Sequence, residues 1–220
     1  MSNKEFAINH RMTLQHEKSA LRKKILNSRE SMKIEEVIGK SKIIIDTLMN
    51  LEAWHKSNVI MSYVNFKNEV ETLDFIRKSL LHVKRIAVPL VAEIINKDDN
   101  KEIDGLYLKK IKKRIIPCEI KNLDIELERG SFGILEPKQE YRREIDIEEI
   151  DLVVVPGIAF DTNKNRLGFG AGFYDTFLKH ITEKCFTIGI AFEAQVIEKV
   201  PVEAHDMPLD IIITEKRVIS

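Results

Sequence analysis

The glycines of this sequence are unevenly placed, and the stretch that collects them is built to meet an anion. Of nine glycines, five lie between Gly157 and Gly189, three of them at alternate positions, Gly168, Gly170 and Gly172. The stretch PGIAFDTNKNRLGFGAGFYDTFL, Pro156 to Leu178, follows the apolar run DLVVV and leads into a helical pattern. Glycine permits positive φ and lets backbone N–H groups approach an anion closely. The start of the following helix adds partial positive charge. Arg166 sets a fixed cation beside the loop, and Asp175 is a hard oxygen donor able to hold magnesium against bound phosphates. Strand, glycine loop and helix in this order read as a phosphate cradle; a tight turn whose glycines serve only packing is the competing reading. Two familiar nucleotide motifs are absent. The fingerprint G-x-G-x-x-G fails at Phe173, and Gly39-Lys40-Ser41 lacks the earlier glycine of a P-loop, where Ile34 stands.

Three further clusters carry chemistry. PVEAHDMPLDIIITE, Pro201 to Glu215, sets His205, Asp206 and Asp210 before the last apolar run. Asp206 could share a magnesium with Asp175, or the segment could be turn chemistry alone; His205 reads as a hydrogen-bonded turn residue. Lys18-Ser-Ala-Leu-Arg22 puts two cations four residues apart on one helix face. Like charges there repel, so an anionic partner would explain them, and a solvated face is the plain alternative. Asn68-Glu69-Val70-Glu71-Thr72 follows the first apolar run, where open α/β sheets bind ligands; Glu71 also suits the start of a helix. The basic run Lys109 to Arg114 has no interleaved aromatic platform beyond Tyr107 and reads as a solvated strand or loop, not a nucleic-acid site. No His or Cys is required as a nucleophile.

The elements that must position these clusters are legible in the hydrophobic pattern. Glu17 to Arg29 is helical, with Leu21 and Ile25 on one side and Lys18, Arg22 and Lys23 on others. A second helix carries Ile34, Val37, Ile38, Ile44, Ile45 and Leu48 at 3.6 spacing, with Ser41 on the same stripe. Asn58–Val64, Arg85–Val91 (broken near its end by Pro89), Asp151–Val155, Phe186–Ala191 and Asp210–Thr214 read as strands. Val70–Val83 and Tyr174–Thr182 read as helices. Buried β-runs alternating with amphipathic helices predict an α/β fold with a largely parallel sheet. Residues 96–149 predict hairpin pieces and loops, and residues 1–15 a loose arm.

Composition sets the outer bounds. The chain has 220 residues, with 35 Lys plus Arg against 35 Asp plus Glu, so no whole-protein basic field exists to draw nucleic acid or an anionic membrane. Hydrophobic residues make up 44%, enough for a folded core without staples. No linker divides the sequence, which predicts one domain over residues 1–220. Cys118 and Cys185 cannot form a disulfide framework and read as buried thiols. The longest apolar stretch, Leu152 to Phe160, is too short for a bilayer. The N-terminal MSNKEFAINHRMT has no apolar signal core and carries Glu5, so the expected location is the cytoplasm, with no membrane partner.

Taken in order, KSALR (Lys18 to Arg22), NEVET (Asn68 to Thr72), GILEP (Gly133 to Pro137), DLVVVPGIAFD with RLGFGAGFYD (Asp151 to Asp175) and PVEAHDMPLDIIITE resemble the 5-formyltetrahydrofolate cyclo-ligase family over about Lys18 to Glu215. The resemblance implies a three-layer α/β/α, Rossmann-like fold. It implies closure of the formyl group of 5-formyltetrahydrofolate onto N10 with ATP and Mg2+, through an iminium phosphate, with ADP and phosphate released. By the same resemblance Lys18, Ser19, Ala20, Leu21 and Arg22 would meet ATP, and Arg166, Leu167, Gly168, Phe169, Gly170, Ala171, Gly172, Phe173 and Tyr174 would form the nucleotide loop. Lys18, Arg22, Arg166 and Tyr174 would act in catalysis. Asp175 and Asp206 would hold magnesium. Val64 and Glu69 would line the folate site, Glu69 against the donor edge of the pterin, with Phe169 to Phe173 also touching folate. The expected state is a monomer. Four positions depart from the family's common pattern: Phe169 for Arg or Tyr, Ala171 for Gly or Lys, Phe173 for Tyr, and Thr176 for Arg. Stacking survives the two phenylalanines, while a guanidinium and a hydroxyl are lost. A sugar-phosphate isomerase or CoA-handling protein on the same sheet would need no ATP; a non-catalytic folate- or RNA-binding relative would show no turnover.

Overall fold

A computed structural model describes residues 3–95, 101–103, 106–108, 111–130, 133–203 and 206–220. The helices are α1 (Asn3–Glu30), α2 (Ile34–Met49), α3 (Glu52–Lys56), α4 (Leu73–Leu81), α5 (Leu123–Glu126) and α6 (Phe173–Leu178). The strands are β1 (Val59–Ser62), β2 (Arg85–Ile95), β3 (Lys101–Ile103), β4 (Leu106–Leu108), β5 (Ile111–Ile120), β6 (Leu127–Arg129), β7 (Leu135–Pro137), β8 (Arg143–Glu144), β9 (Leu152–Val155), β10 (Ala159–Asp161), β11 (Arg166–Leu167), β12 (Phe186–Ile190), β13 (Val196–Ile197), β14 (Ile211–Ile213) and β15 (Val218–Ile219).

The principal sheet has the order β15-β14-β12-β9-β1-β2-β5-β8. Its centre, β14 to β2, is parallel throughout, and β15, β5 and β8 join antiparallel at the flanks. From β2 the parallel strands run second, first, third, fourth and fifth in chain order. The winding direction therefore reverses between β1 and β9, and ligands of open α/β sheets bind at the carboxyl ends of strands at such a point.

Strand alternation makes the layers. On β9, Leu152 and Val154 face a cluster built from Val37, Ile44, Ile45 and Leu48 of α2, Trp54 of α3, and Phe75 and Ile76 of α4. Val153 and Val155 face the opposite cluster, with Phe177 and Leu178 of α6. A strand covered on both faces needs apolar residues at every position, which is why DLVVV carries no polar alternation. The expected three-layer α/β/α architecture is present. A small sheet, β11-β10-β13, lies beside it, and α1 docks there: Ile25 packs with Ile158, Ala159, Leu167 and Val200.

Several expectations change. Residues 3–15 continue α1 as helix where a loose arm was expected. Lys18 stands on the side of Ile25 and not on another; both are buried, seven residues apart and so about 20° apart around the helix. Ile34 and Ile38 are exposed, so the buried stripe of α2 is Val37, Ser41, Ile44, Ile45 and Leu48. β2 runs on through Pro89, which stands opposite Pro117 of β5. Its pairing with β1 ends at Ala87, so beyond that point β2 has a free side where proline forfeits no ladder bond. Residues 96–149 hold the expected hairpins, β3–β4 and β6–β7, and the long strand β5. Of the basic run, Lys113 and Arg114 are exposed on β5; Lys109 and Lys110 lie outside the described residues. Both cysteines are buried free thiols. Among the described residues no helix is long and apolar enough to cross a membrane.

Candidate active site

Helix α1 crosses the carboxyl ends of the strands and presents one line of cations to them. Lys18, Arg22 and Arg29 sit four and eleven residues along, about 40° and 20° from the Lys18 direction. Lys18 is 5% exposed, and its Nζ donates to Asp206 Oδ2 at 2.8 Å and Glu203 Oε2 at 3.0 Å. A lone buried ammonium is too costly to persist, so these two carboxylates are what allow Lys18 to be there. Asp206 Oδ2 also accepts from the Glu203 N–H at 2.8 Å, which fixes its direction. Arg22 Nε donates to the Gly168 carbonyl at 2.8 Å. Burial lowers the Arg22 pKa, and Asp206 and Asp175 oppose that change, so both carboxylates lie within reach of one guanidinium.

The glycine loop meets α1 from the other side. Arg166 on β11 is 6% exposed. It pairs through Nη2 with Asp175 Oδ1, lies under the Tyr174 ring, and keeps a buried Nε with no hydrogen-bond partner among the described residues. Gly170 and Gly172 have φ of +104° and +70°, the left-handed region that favours glycine. A Cβ on Gly170 would stand 3.5 Å from Arg22 Cζ, so the loop backbone comes close to the helix cations. Gly157 allows another close approach: a Cβ there would meet Phe160 Cζ at 2.5 Å and Arg166 Cγ at 2.9 Å.

Beside this charged corner a small cleft opens at the ends of β1 and β9, lined by Arg29, Tyr63, Glu69, Val70, Pro156, Gly157, Ile190 and Gln195. The loop after β1 is tied tightly. Tyr63 Oη donates to the Val70 carbonyl at 3.0 Å, Thr72 Oγ1 to the Tyr63 carbonyl at 2.7 Å, and the Phe66 N–H to Glu69 Oε2 at 2.9 Å. Burial raises the Glu69 pKa, while Arg29 and the Phe66 N–H pull it down. Burial likewise pushes the Tyr63 and Tyr174 hydroxyls well above the ordinary tyrosine range. The Tyr174 hydroxyl is buried with no hydrogen-bond partner among the described residues. Gln195 Nε2 donates to the carbonyls of Gly157 and Ile158, both at 3.0 Å, and holds the turn after β9 in place.

The structure thus brings Lys18, Arg22, Arg166, Asp175 and Asp206 together, with Glu69 and Tyr174 alongside. Leu21 is half-buried and Ser19 and Ala20 are exposed on other faces of α1. Leu167 is buried in the small core under α1. Phe169 is exposed, its ring centroid 5.8 Å from Arg29 Cζ; Ala171 is exposed, and Phe173 packs against the α6 side of the core. Val64 is buried in the opposite cluster, and Tyr63, not Val64, lines the cleft. His205 lies outside the described residues. Asp210 binds the Thr187 N–H and hydroxyl, a structural role. Among the described residues no group of three or more His, Cys, Asp or Glu side chains stands ready for a metal. Asp175 and Asp206, both within the field of Arg22, are hard oxygen donors that nonetheless fit magnesium, an ion that keeps several waters in its shell. Three polar residues of the cleft escaped the sequence reading: Arg29, Tyr63 and Gln195. Arg29 had a signal, since it repeats Arg22 at seven residues on the same face. Gln195 and Tyr63 had none, because their roles depend on the strands meeting.

Residues 14–215 match the model of the 5-formyltetrahydrofolate cyclo-ligase family. The 5-formyltetrahydrofolate cyclo-ligase of Haemophilus influenzae is 30% identical over 162 residues, covering 73% of this chain and 78% of the relative. That of Mus musculus is 26% identical over 210 residues, covering 93% and 96%. The solved structure of the 5,10-methenyltetrahydrofolate synthetase of Aquifex aeolicus superimposes with a TM-score of 0.72 at 32% identity, covering 91% of each chain. That of the Mycoplasma pneumoniae synthetase gives 0.65 at 26% identity, covering 90% and 98%. The fold, the ordered motifs and these matches agree, and the chain belongs to the 5-formyltetrahydrofolate cyclo-ligase family of ligases.

Proposed function

We propose that this chain closes 5-formyltetrahydrofolate to 5,10-methenyltetrahydrofolate with ATP and magnesium, acting as a monomer. The observation that carries the reading is the meeting of Lys18, Arg22 and Arg166 with Asp175 and Asp206 beside the buried Glu69 cleft, all at the β1/β9 reversal. Lys18, Arg22 and Arg166 would meet the phosphates of ATP. In the free protein Lys18 and Arg166 are held by Asp206 and Asp175. Arrival of a phosphate chain gives the cations new partners and leaves the two carboxylates to hold magnesium, which would neutralise charge on the phosphates.

A formamide carbonyl is a poor electrophile and its oxygen a poor leaving group. The formyl oxygen attacks the γ-phosphorus and ADP leaves, giving an iminium phosphate. The N10 lone pair then attacks the formyl carbon, the C–O bond breaks, phosphate departs with the former formyl oxygen, and N10 loses its proton. Phosphoryl transfer asks of the protein mainly position and charge neutralisation. Glu69 and Tyr63 hold the pterin end in this scheme, and Tyr174, beside Arg166 and within the field of Glu69, would stand near both substrates.

The test is to mix the protein with 5-formyltetrahydrofolate and magnesium, with and without ATP, and follow methenyl absorbance and ADP together. An ATP-dependent rise matched by ADP supports the reading. Methenyl product without ATP, or ATP bound without product, contradicts it.

A further inference from the structure

Arg29 is a buried cation that none of the roles above uses. It is 4% exposed. Its Nη1 lies 3.8 Å from Glu69 Oε1, its Nε is buried without a hydrogen-bond partner among the described residues, and the Phe169 ring covers the guanidinium. Its place is fixed from the loop that carries Glu69: Asn68 Nδ2 lies 3.3 Å from the Arg29 carbonyl, 3.4 Å from that of Glu30 and 3.2 Å from that of Met32. These are end carbonyls of α1 and its exit turn, so Asn68 clamps the helix end one residue away from Glu69.

Glu69 is prepared by the same contacts. Its Oε2 accepts from the Phe66 N–H at 2.9 Å, while Oε1 accepts no hydrogen bond among the described residues and lies 3.8 Å from Arg29 Nη1, with both residues in the cleft wall. The titratable groups facing it are Arg29 from α1, Tyr63 from the end of β1 and Tyr174 from α6, with Arg166 beyond Tyr174. Both tyrosines are held neutral by burial. Burial also drives Glu69 towards its protonated form, and Arg29 is the charge that opposes this. The distinction matters to a pterin, whose ring N–H and adjacent amine are both donors: a carboxylate accepts from both, whereas a carboxyl group sets a donor against one of them.

We propose that Arg29 is a positioning residue for the folate substrate, holding Glu69 as a carboxylate with Oε1 presented to the cleft, and so setting folate affinity without touching the nucleotide. The inference rests on the cyclo-ligase reading above and adds to it a residue acting through Glu69.

The test compares wild type, Arg29→Gln, Glu69→Gln and the double variant. The readouts are KM for each substrate across pH, and the thermal upshifts given by 5-formyltetrahydrofolate and by ATP with magnesium. In Arg29→Gln the folate KM is expected to rise about ten- to a hundred-fold, as for loss of a charge-assisted hydrogen bond. The ATP-induced upshift should persist, which also reports that the variant folds. Without Arg29 the Glu69 pKa climbs further, so the loss should shrink as pH rises and the carboxylate re-forms. Glu69→Gln should show the same loss at every pH, and the double variant should be no worse than Glu69→Gln alone. An unmoved folate KM in Arg29→Gln, a loss independent of pH, or additive losses in the double variant would overturn the inference while leaving the functional reading intact. A wild-type protein neither stabilised by nor active on 5-formyltetrahydrofolate would overturn both.

Discussion

Lys18 is a buried ammonium shared by two carboxylates, whose attraction offsets the hydration it gives up. Replacing Lys18 by Ala leaves Glu203 and Asp206 facing one another. Their side chains keep 15% and 14% of their exposure, so water relieves part of the repulsion. The stability loss should therefore fall below the about 3–5 kcal/mol seen when a fully buried pair is broken. Turnover should fall about a hundred-fold or more, as when a preorganised donor to a developing charge is removed. Circular dichroism and a melting curve beside the ATP-dependent assay check both halves; unchanged turnover removes Lys18 from the mechanism. The cysteines behave oppositely. Burial pushes the Cys118 thiol up to about 11 and the Cys185 thiol up to about 12. Raised pKa values leave almost no thiolate at pH ~8, and the thiolate is the reactive form. Native protein should react with a thiol reagent only slowly, and denaturant should release two titratable thiols; fast reaction of the native form would contradict the burial described here.

At the scale of elements, the turn after β9 and the loop before α6 use glycine for different reasons, and substitution separates them. Gly172→Ala meets nothing within 4 Å but must hold φ at +70°, at a cost of about 1–2 kcal/mol. Gly157→Ala forces a methyl group against Phe160 and Arg166, an overpacking cost of about 1–3 kcal/mol that also displaces Arg166. Denaturant unfolding should show both losses, while the ATP-induced thermal upshift should weaken more in Gly157→Ala. The central strands and the glycine loop were legible in the sequence because their signals are local: four consecutive buried positions in β9, and glycines at alternate positions. What was illegible depended on neighbours. Pro89 reads as a strand end unless β1 is known to stop beside Ala87. Ile34 and Ile38 fit the period of α2, yet both are exposed. Lys18 and Arg22 read as a charged face, and only the docking of α1 on β10, β11 and β13 shows that this face is buried.

For the whole molecule, the reversal of winding between β1 and β9 brings four distant sequence segments to one corner: α1, the loop after β1, the stretch from β9 to α6, and the stretch from the end of β12 to Asp206. Two apolar clusters hold the layers on the faces of the sheet, so a chelator should leave the melting temperature of the ligand-free protein unchanged and abolish ATP-dependent turnover. A chelator-induced drop in melting temperature would point instead to a structural metal. The central claim is that the corner delivers the γ-phosphate of ATP to the formyl oxygen of the folate held at Glu69. The most direct measurement uses 5-formyltetrahydrofolate carrying heavy oxygen in its formyl group, with mass analysis of the phosphate released during turnover. The account predicts one heavy oxygen in each phosphate formed. Unlabelled phosphate, with the heavy oxygen recovered in water, would contradict it.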